Sequence, residues 1–506
     1  MPRPVYVTTS IPYVNGAPHL GHALEFVLAD AIARYHRLVG APTRLQTGTD
    51  DNSLKNVLAA EREGLSTAGL VDRNARRFQD LQRTLEVEPD GFIRTSVDPA
   101  HARGATALWL ACQARGDLYR RVYRGLYCVG CERFYTRDEL VAGTCPEHGT
   151  QPEVLEEENW FFRLSRYQRE LRQVLEDGRL AVVPESRRQE ALAFVTGGLQ
   201  DLSVSRSRER ARGWGVPVPG DAGQVMYVWF DALANYITAL GYPGADPAYR
   251  TFWADARKVH VIGKGILRFH TAYWPAFLLS AGLPLPDTVL VHGYLQTEGA
   301  KLSKSRGAAD PAQAAQRLGA DALRYWLLRV GQGGDAEWSD EAVLGLRRTE
   351  LANELGNLLQ RTISMICSYR AGLVPRGTRS DQELAAIGGR LAERLRVAMG
   401  ERLDPQAGLA SVWELVRAAN RFANRTQPWR LAGAGDAGAL DAALSTLAEA
   451  LRIVAEALRP FLPETAEQIA TQLGVQLVGD DWPRSLSWRD PGGGWAVSEP
   501  HPLFPR

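Results

Sequence analysis

The sequence is poor in lysine, although it is not poor in basic charge. Of its 59 lysine and arginine residues, five are lysine. These are Lys55, Lys258, Lys264, Lys301 and Lys304. A nucleotide-content bias would replace most lysine by arginine and leave it where a compact, flexible ammonium is needed. Two of the five fall within Lys301–Ser305 and one lies between Gly263 and Gly265. Chance could place one lysine in a loop, but it explains two in one pentapeptide less easily.

Cysteine is scarce, and long apolar segments are missing. Five cysteines in 506 residues are too few, and odd in number, for the disulfide framework of a secreted protein. No apolar run approaches the ~20 residues of a membrane span. Met1–Pro4 leads directly into a predicted strand, without a signal or transit peptide. We therefore expect a cytoplasmic protein that has no contact with a membrane.

The overall charge balance is nearly neutral, at +1. It therefore neither favours nor excludes nucleic acid, which would need a local basic surface. Ser205–Arg212 carries four arginines. A solvated loop is the default interpretation of this run, and contact with an acidic polymer is the alternative.

The order of predicted elements indicates several domains, and at roughly 150 residues per domain the length allows about three. Residues 1–110 alternate strand and helix, residues 111–222 break that rhythm, and strands return at Lys258–Ile262 and Thr288–Val291. Residues 346–475 carry amphipathic helices without a convincing strand. We expect an α/β fold in which a doubly wound parallel sheet is split by an insertion and followed by an α-helical bundle.

A Gly/Pro turn that carries two histidines, Asn15–His22, separates the first predicted strand from a helix over residues 23–35. His19 and His22 are three residues apart, so they share one side of the helix end. Free N–H groups and the macrodipole make that end receptive to anions. The pair is typical of phosphate handling, although an ordinary turn with two unrelated histidines is the alternative.

A carboxylate follows the second predicted strand, Thr43–Thr47, in Gly48–Asp51. Open α/β sheets bind ligands at this end of their strands. Asp50 could instead cap the helix that begins near Leu54, but Asp51 or Asn52 could cap it equally well. Asp50 is therefore a candidate ligand-binding residue.

Two short knuckles in the insertion pair soft ligands. Cys128–Cys131 is a CxxC and Cys145–His148 a CxxH, thirteen residues apart. Three thiolates and one imidazole suit tetrahedral zinc, and four protein ligands leave no position for a reacting water. A disulfide or four unrelated residues are the alternatives. We favour a structural Zn²⁺ site made by Cys128, Cys131, Cys145 and His148.

The histidine turn and Lys301–Ser305 together resemble the HIGH and KMSKS signatures of class I aminoacyl-tRNA synthetases, in the same order. Within that class, the chain is similar to the methionyl-tRNA synthetase family over essentially its whole length. Further points of resemblance are Ile11–Gly16, Gly48–Asp50, the two knuckles, Tyr227–Ala232, Phe269–His270 and Gln427–Trp429.

The resemblance implies a Rossmann catalytic domain in two halves (1–110 and 223–295) and a connective insertion with the zinc knuckle (111–222). It also implies a stem-contact region with the KMSKS-like loop (296–345) and a helical anticodon-binding domain with a C-terminal strap (346–506). The implied reaction activates L-methionine with ATP and transfers it to the 3′ end of tRNA(Met). ATP, Mg²⁺ and one structural Zn²⁺ are the implied cofactors.

The resemblance also implies a role for individual residues. Catalytic groups are His19, His22, Lys301 and Lys304. ATP would also contact Gly21, Gly263, Lys264 and Ser303. The methionine pocket would comprise Ile11, Tyr13, Asp50, Trp229, Ala232, Tyr236, Ile266 and His270, with Asp50 on the substrate ammonium and Tyr13 and His270 offering polar atoms near the sulfur. Asn357, Arg361 and Trp429 would contact the anticodon. Plain core packing is the alternative for Trp229 and Tyr236, and a capped, packed helix pair is the alternative for the anticodon positions.

The chain departs from the family pattern at several positions. Gly265 stands where an acidic residue is common, which puts any ribose contact by that position in doubt. Asp51–Ser53 replaces a frequent Glu-His-Gly, Leu302 replaces a methionine and Leu233 a proline. The sequence ends at Arg506 without the further C-terminal domain of some members, so we expect a monomer.

Three other functions compete with this one. A sibling class I synthetase for a large aliphatic amino acid would need an editing insertion larger than residues 111–222. The class I synthetase for cysteine would need thiolate ligands near Ile11–Tyr13. A catalytically idle RNA-binding module would not need the histidine pair and both loop lysines. A small-molecule nucleotidyltransferase would not need about 160 residues of helical domain, since ordinary domains run to ~100–150 residues.

Overall fold

The computed structural model describes residues 2–128, 133–135, 137–146, 149–297, 300–301, 310–331, 334–376, 381–479, 481–489 and 493–505. The strands are β1 (Val5–Thr9), β2 (Thr43–Thr49), β3 (Gly91–Arg94), β4 (Leu118–Cys128), β5 (Arg133–Tyr135), β6 (Glu153–Phe162), β7 (Ala181–Val183), β8 (Leu202–Ser203), β9 (Ser205–Ser207), β10 (Pro217–Val218), β11 (Asp221–Met226), β12 (Arg257–Gly263), β13 (Thr288–His292), β14 (Leu295–Thr297), β15 (Ala300–Lys301) and β16 (Ala336–Glu337).

The α-helices are α1 (Leu20–Leu38), α2 (Leu54–Glu63), α3 (Thr67–Thr84), α4 (Pro99–Ala114), α5 (Gln168–Glu176), α6 (Glu185–Thr196), α7 (Val228–Leu233), α8 (Asn235–Thr238), α9 (Pro247–Tyr249), α10 (Trp274–Ala281), α11 (Pro311–Leu318), α12 (Ala320–Val330), α13 (Asp340–Leu346), α14 (Asn357–Arg370), α15 (Gln382–Leu395), α16 (Pro405–Thr426), α17 (Pro428–Ala434), α18 (Ala437–Leu458), α19 (Pro463–Leu473) and α20 (Trp482–Ser485). Short 3₁₀ turns cover Arg137–Glu139, Leu164–Tyr167 and Lys264–Ile266, and π-helical segments cover Arg250–Ala254, Phe269–Tyr273, Arg347–Gly356 and Arg396–Glu401.

Six of the described strands form one parallel sheet, in the order β3-β2-β1-β12-β13-β7. Strands β1 and β13 are buried along their whole length, as expected where helices cover both faces of a parallel sheet. The chain adds β2 and β3 on one side of β1, and β12 and β13 on the other. The gap between β1 and β12 is therefore the switch point at which open α/β sheets bind ligands. The prediction of a parallel α/β sheet is confirmed.

Helix α1 is the central helix of the sheet. It packs on β1, β2 and β12 and on the later helix α12, which explains why it is apolar on most sides. Arg37 lies in its last turn, where positive charge favours the helix end. This helix places the histidine turn at its N-terminus directly against the carboxyl end of the sheet.

One strand from the expected insertion belongs to the six-stranded parallel sheet. We expected residues 111–222 to stand apart, but β7 pairs in parallel with β13, with Val182 opposite Val289. A run of three residues is too short for periodicity to identify it as a strand. The rest of the insertion follows the expectation more closely, since β4 and β6 form a long antiparallel pair from Leu118–Phe162 to Tyr127–Glu153.

The solvated-loop interpretation of the arginine run holds for Arg208 and Arg212, which are exposed, but not for Arg206 and Arg210. Arg206 is buried, with its guanidinium carbon 4.3 Å from the ring centre of Tyr227. Arg210 lies 4.3 Å from the ring centre of Tyr127. Arginine stacks on aromatic faces because its cation is delocalised and weakly hydrated. Arg210 therefore packs within the insertion, and Arg206 links the insertion to Tyr227 of the following segment, instead of both facing solvent.

The helices after residue 346 pack around α18, most of whose residues are buried. Part of the C-terminal tail lies against them: Ala496 forms an antiparallel bridge with Leu373, and Leu503 is buried. Arg324 of α12 links the sheet to these helices, since its guanidinium donates to Asp30 at 2.8 Å, to the Leu85 carbonyl at 2.7 Å and to the Phe461 carbonyl at 2.9 Å. Because the fully buried guanidinium has three hydrogen-bond acceptors, its charge is compensated, and the contact holds the sheet and these helices in one arrangement.

Candidate functional site

The candidate site lies where β1, β2, β12 and β13 end. Beyond β1 and β2 the two chains stay paired through a parallel bridge between Tyr13 and Asp50. The Asp50 amide donates to the Pro12 carbonyl at 2.9 Å. The segment after β1 and the carboxylate after β2 therefore lie side by side, as their positions at strand ends predicted.

The two histidines cap helix α1 reciprocally. His19 is the N-cap residue, and its Nδ1 accepts from the Gly21 amide at 3.1 Å. His22 Nδ1 accepts from the His19 amide at 3.0 Å. The rings stack with centres 3.8 Å apart. Because each Nδ1 accepts, each Nε2 carries the ring proton and acts as a donor. The turn thus presents two donors at a helix end that favours anions.

Close packing fixes this turn. A Cβ on Gly21 would lie 2.9 Å from His19 Cε1, so a side chain there would displace the ring. Phe78 meets His22 edge-on, with ring centres 5.0 Å apart. The stacked arrangement therefore depends on glycine at position 21 and on a neighbouring helix, α3.

A buried glutamate anchors the same helix to β13. Glu25 accepts from the Ser10 amide at 2.7 Å and from the Ser10 hydroxyl at 2.6 Å. Its other oxygen lies 3.1 Å from His292 Nε2. Because β13 leads into the β14–β15 hairpin that carries Lys301, this contact ties the base of that hairpin to the histidine helix.

Asp50 is almost completely buried, at 2% exposure. Its Oδ1 accepts from the Asn52 amide at 3.2 Å. The helix cap that we considered for Asp50, Asp51 or Asn52 is made by Ser53, whose side chain accepts from the Lys55 amide at 3.0 Å. The cap lies one residue beyond all three candidates, because α2 begins at Leu54.

An aromatic pocket faces this carboxylate. Trp229 stacks on Phe269 with ring centres 3.8 Å apart and meets Tyr13 edge-on at 6.3 Å. Ala232 is buried one turn further along α7, and Ile11 and Ile266 are half-buried. Trp229 Nε1 is buried without a hydrogen-bond partner among the described residues. These contacts show Trp229 packed among aromatic rings, and its place in a methionine pocket stays a prediction.

His270 and Tyr236 form a fixed pair. The Tyr236 hydroxyl lies 2.7 Å from His270 Nε2, and His270 Nδ1 lies 3.0 Å from the Ile266 carbonyl. A carbonyl only accepts, so Nδ1 carries the proton and Nε2 accepts from the tyrosine. Burial lowers the pKa of His270 to about 4 and raises the pKa of Tyr236. Both ring nitrogens are engaged within the protein, so His270 orients Tyr236, and a polar contact of His270 with the sulfur stays a prediction.

The turn after β12 places Lys264 and Gly265 against Tyr294. Lys264 Nζ is 2.6 Å from Asp335 Oδ2 and 4.6 Å from the Tyr294 ring centre. A Cβ on Gly265 would lie 2.0 Å from the Tyr294 hydroxyl. Any side chain at position 265 would therefore displace Tyr294, which explains glycine in place of the acidic residue that is common in the family.

Several predicted residues cannot be placed. Ser303, Lys304, Cys131 and His148 lie outside the described residues, and Lys301 is described by its backbone, which pairs with Gln296 in β14–β15. Among the described residues there is no cluster of three or more His, Cys, Asp or Glu that could hold a metal ion. The other two expected zinc ligands, Cys128 and Cys145, are buried together with Tyr135 in one small cluster.

An open groove lies on α14 and α17. It has a volume of about 500 Å³ and is lined by Asn357, Gln360, Arg361, Ser364, Met365 and Trp429. The guanidinium carbon of Arg361 is 5.1 Å from the Trp429 ring centre, and Trp429 is 37% exposed. The structure thus brings together the three predicted anticodon residues and adds Gln360, Ser364 and Met365, which helical spacing from Asn357 and Arg361 could have indicated.

Sequence reasoning missed a buried polar chain behind the pocket. Asn52 Nδ2 donates to Asp231 at 2.7 Å, and Asp231 lies 2.6 Å from His101 Nε2. The one signal in the sequence was Asp231 inside the apolar stretch Tyr227–Ala232. Its partners are 130 and 179 positions away, so no local pattern could have paired them.

Within the described residues, no helix is both long enough and apolar enough to cross a membrane. The sequence matches the family of class I tRNA synthetases (M) over residues 5–152 and 147–363. A methionine–tRNA ligase of Mycobacterium bovis is 42% identical over 525 residues, which cover 100% of this chain and 98% of the relative. One of Caldanaerobacter subterraneus is 40% identical and covers 100% of this chain and 79% of the relative.

Solved structures agree with these sequence matches. Mycobacterium tuberculosis methionyl-tRNA synthetase in complex with methionyl-adenylate superposes with a TM-score of 0.94 at 40% identity and covers 100% of both chains. A second structure of that protein, bound by methionyl-adenylate, superposes with a TM-score of 0.93 and covers 99% of this chain. Together with the strand-end site, the histidine turn and the groove, these similarities show that the chain belongs to the methionyl-tRNA synthetases of class I, the methionine–tRNA ligases.

Proposed function

We propose that the residues of this site divide the two steps of methionine–tRNA ligation among them. In the first step, the carboxylate of L-methionine attacks the α-phosphorus of ATP and pyrophosphate leaves. In the second, a ribose hydroxyl at the tRNA 3′ end attacks the adenylate carbonyl and AMP leaves. The observation that carries the reaction is full-length likeness, at 40% identity, to a synthetase in complex with methionyl-adenylate.

Asp50 would bind the substrate ammonium, since it is a buried carboxylate beside the aromatic pocket. Ile11, Tyr13, Trp229, Ala232, Tyr236, Ile266 and His270 would enclose the side chain. A thioether is flexible and polarisable and packs well against ring edges, which Trp229 and Tyr13 offer. The His270–Tyr236 bond would keep this wall rigid.

His19 and His22 would contact the phosphates through their Nε2 donors, with Gly21 allowing close approach. Gly263 and Lys264 would approach ATP from the other side of the switch point. Lys301, Ser303 and Lys304 would meet the leaving pyrophosphate. Preorganised donors aimed at developing charge are the main source of such catalysis. Mg²⁺ would arrive with the nucleotide and needs no dedicated protein cage.

The knuckles would hold one structural Zn²⁺ through Cys128, Cys131, Cys145 and His148. Supporting this, Cys128 and Cys145 are buried in the same small cluster, where soft thiolate ligands suit zinc. When bound, the ion would cross-link the two knuckles. The cluster is too small to be stable on apolar packing alone, which is the usual situation in which a metal stabilises a small fold.

Asn357, Arg361 and Trp429 would bind the anticodon of tRNA(Met). The support is a half-exposed ring next to a guanidinium in an open groove. Unstacked bases are recognised by stacking on such rings and by hydrogen bonds to their edges.

A monomeric state and a cytoplasmic location remain predictions. Light scattering during gel filtration measures the oligomeric state.

Pyrophosphate exchange into ATP with each amino acid in turn tests the activity. We expect exchange with methionine well above every other amino acid, and equal exchange with all amino acids would contradict the function.

Lys304→Ala should lower the exchange rate about 100-fold while methionine binding changes little, because a charge that meets the leaving group acts in the transition state. Equal loss of binding and rate would reject that role.

A further inference from the structure

A continuous chain of buried hydrogen bonds runs behind the amino-acid site. The backbone N–H of Asn52 donates to Asp50 Oδ1 at 3.2 Å, and the side-chain Nδ2 of Asn52 donates to Asp231 Oδ2 at 2.7 Å. Asp231 Oδ1 lies 2.6 Å from His101 Nε2, and His101 Nδ1 lies 2.9 Å from the Thr238 hydroxyl. All five side chains are at most 9% exposed.

This chain joins the two halves of the amino-acid site. Asp50 stands at one end, on the loop after β2. Asp231 lies on α7, between Trp229 and Ala232, and Thr238 lies on α8, two residues after Tyr236. The expected ammonium site and the expected side-chain pocket are thus connected through Asn52 and Asp231, although they come from segments about 180 residues apart in sequence.

The directions of these bonds are fixed by chemistry. A carboxylate accepts only, so His101 Nε2 must carry the proton that faces Asp231. Asp231 therefore accepts at both oxygens, once from an amide and once from an imidazole. Charge-assisted bonds of this kind are stronger than neutral ones in a low-dielectric interior. Removing Asp231 leaves the buried His101 Nε2–H without an acceptor, and it leaves Asn52 Nδ2 with only the Thr95 carbonyl at 3.4 Å, so that Asn52 is no longer linked to α7.

We propose that Asp231, oriented by His101, is a positioning residue that sets the distance between Asp50 and the aromatic pocket. Through Asn52 it holds the ammonium-binding carboxylate in register with the wall that receives the thioether. Selectivity for an α-amino acid with a side chain of methionine length then depends on this internal link as well as on the pocket walls. The inference rests on the proposed roles of Asp50 and of the pocket.

The signature of such a link is coupling between the two ends of the ligand. L-Methionine uses both ends at once, whereas 4-(methylthio)butanoate has the same side chain and carboxylate but no amino group. In the isosteric variant Asp231→Asn, the negative charge is lost and one acceptor oxygen becomes a donor, so the charge-assisted bonds to Asn52 and His101 become neutral, weaker ones or are lost. The variant should weaken binding of methionine about tenfold and binding of the desamino analogue less than about threefold.

The experiment measures dissociation constants for both ligands by calorimetry, and KM for methionine and for ATP by pyrophosphate exchange. Asp231→Asn and Asn52→Ala should raise KM for methionine much more than KM for ATP. In an Asp50→Asn background, Asp231→Asn should add little, because the contact that it positions is already gone. An equal loss for both ligands, or additive effects with Asp50→Asn, would reject the link and leave Asp231 as a residue of the scaffold.

Asp117→Asn is a matched control. Asp117 is a fully buried carboxylate that accepts from the Ser280 hydroxyl at 2.8 Å and from Tyr167 and Arg166, away from the pocket. Its loss should lower the melting temperature without separating methionine from the desamino analogue. Wild-type exchange is measured first: its absence would reject the function and the inference together, whereas normal wild-type exchange with unchanged variant KM values would reject the inference alone.

Discussion

The proposed methionine pocket and the proposed anticodon groove use similar side chains in opposite settings. Each combines a tryptophan ring with polar or charged neighbours, Trp229 with Asp50 and Trp429 with Arg361. In the proposed pocket Trp229 stacks on Phe269 and Asp50 is 2% exposed, whereas Trp429 lies 37% exposed in an open groove. An enclosed wall selects by shape and by desolvated charge, and an open platform selects by stacking with whatever base is presented. The same residue types would therefore serve a small, flexible amino acid in one place and a large polymer in the other.

The strongest way to break this contrast is to remove the buried charge. Asp50→Asn should raise KM for methionine in pyrophosphate exchange about 100-fold or more, since truncating one partner of a buried charge pair costs ~2–5 kcal/mol. KM for tRNA should change little. Asp80→Asn is the control, because Asp80 lies in an exposed ion pair with Arg83. A tenfold or smaller effect of Asp50→Asn would mean that another group binds the ammonium.

Removing the exposed ring should have the opposite signature. Trp429→Ala should lower kcat/KM for tRNA in aminoacylation about tenfold or more, because base stacking contributes ~1–3 kcal/mol. Pyrophosphate exchange should stay unchanged. Trp429→Phe keeps an aromatic face and should recover most of the loss; if it behaves like alanine, the ring acts otherwise than by stacking.

Acid should destabilise the pocket side. Burial lowers the pKa of His270 to about 4, below its ordinary value, so the unfolded chain binds more protons between that pH and about 6.5. Stability therefore falls as the pH is lowered through this window, by about 1 kcal/mol between pH 6.5 and 5.5. Urea titrations of His270→Gln should show a pH dependence that is smaller by that amount.

His36→Gln sharpens the pH experiment. Burial and the nearby Arg257 also lower the pKa of His36 to about 4, but His36 lies at the far end of α1. Its replacement should reduce the pH dependence similarly and leave KM for methionine unchanged, whereas His270→Gln should raise that KM. An unchanged KM in both variants would show that the His270–Tyr236 pair does not shape the pocket.

The smallest effect is expected for Gln360, a lining residue of the groove. Gln360→Ala should raise KM for tRNA about two- to threefold, as expected for one hydrogen bond at an accessible surface. Ser368→Ala is the control, since Ser368 is exposed on the same helix and does not line the groove. An effect of Gln360→Ala on pyrophosphate exchange would contradict the separation of the two sites.

Local patterns predicted the parts of the site that local physics controls. Strand, turn and helix signals placed the histidine pair at a helix end and Asp50 at a strand end, and both are there. They could not assign β7 to the catalytic sheet, because three residues carry too little periodicity. They placed the cap of α2 at Asp50–Asn52, although Ser53 makes it, since several polar residues in a row fit a cap equally well. They also left Arg206 in solvent, because a ring beside it is contributed by Tyr227, twenty-one positions on.

By itself the sequence determined the element types, the motif residues and their order, since hydrophobic spacing, turn residues and strand ends are local properties. Only the tertiary structure decided which residues meet. Asp231 meets both Asn52 and His101, Tyr236 meets His270, and Gly265 lies against Tyr294. These contacts depend on how parallel strands and crossing helices bring distant segments together. Their energies come from burial and from complete hydrogen bonding, and neither is written in any one stretch of the chain.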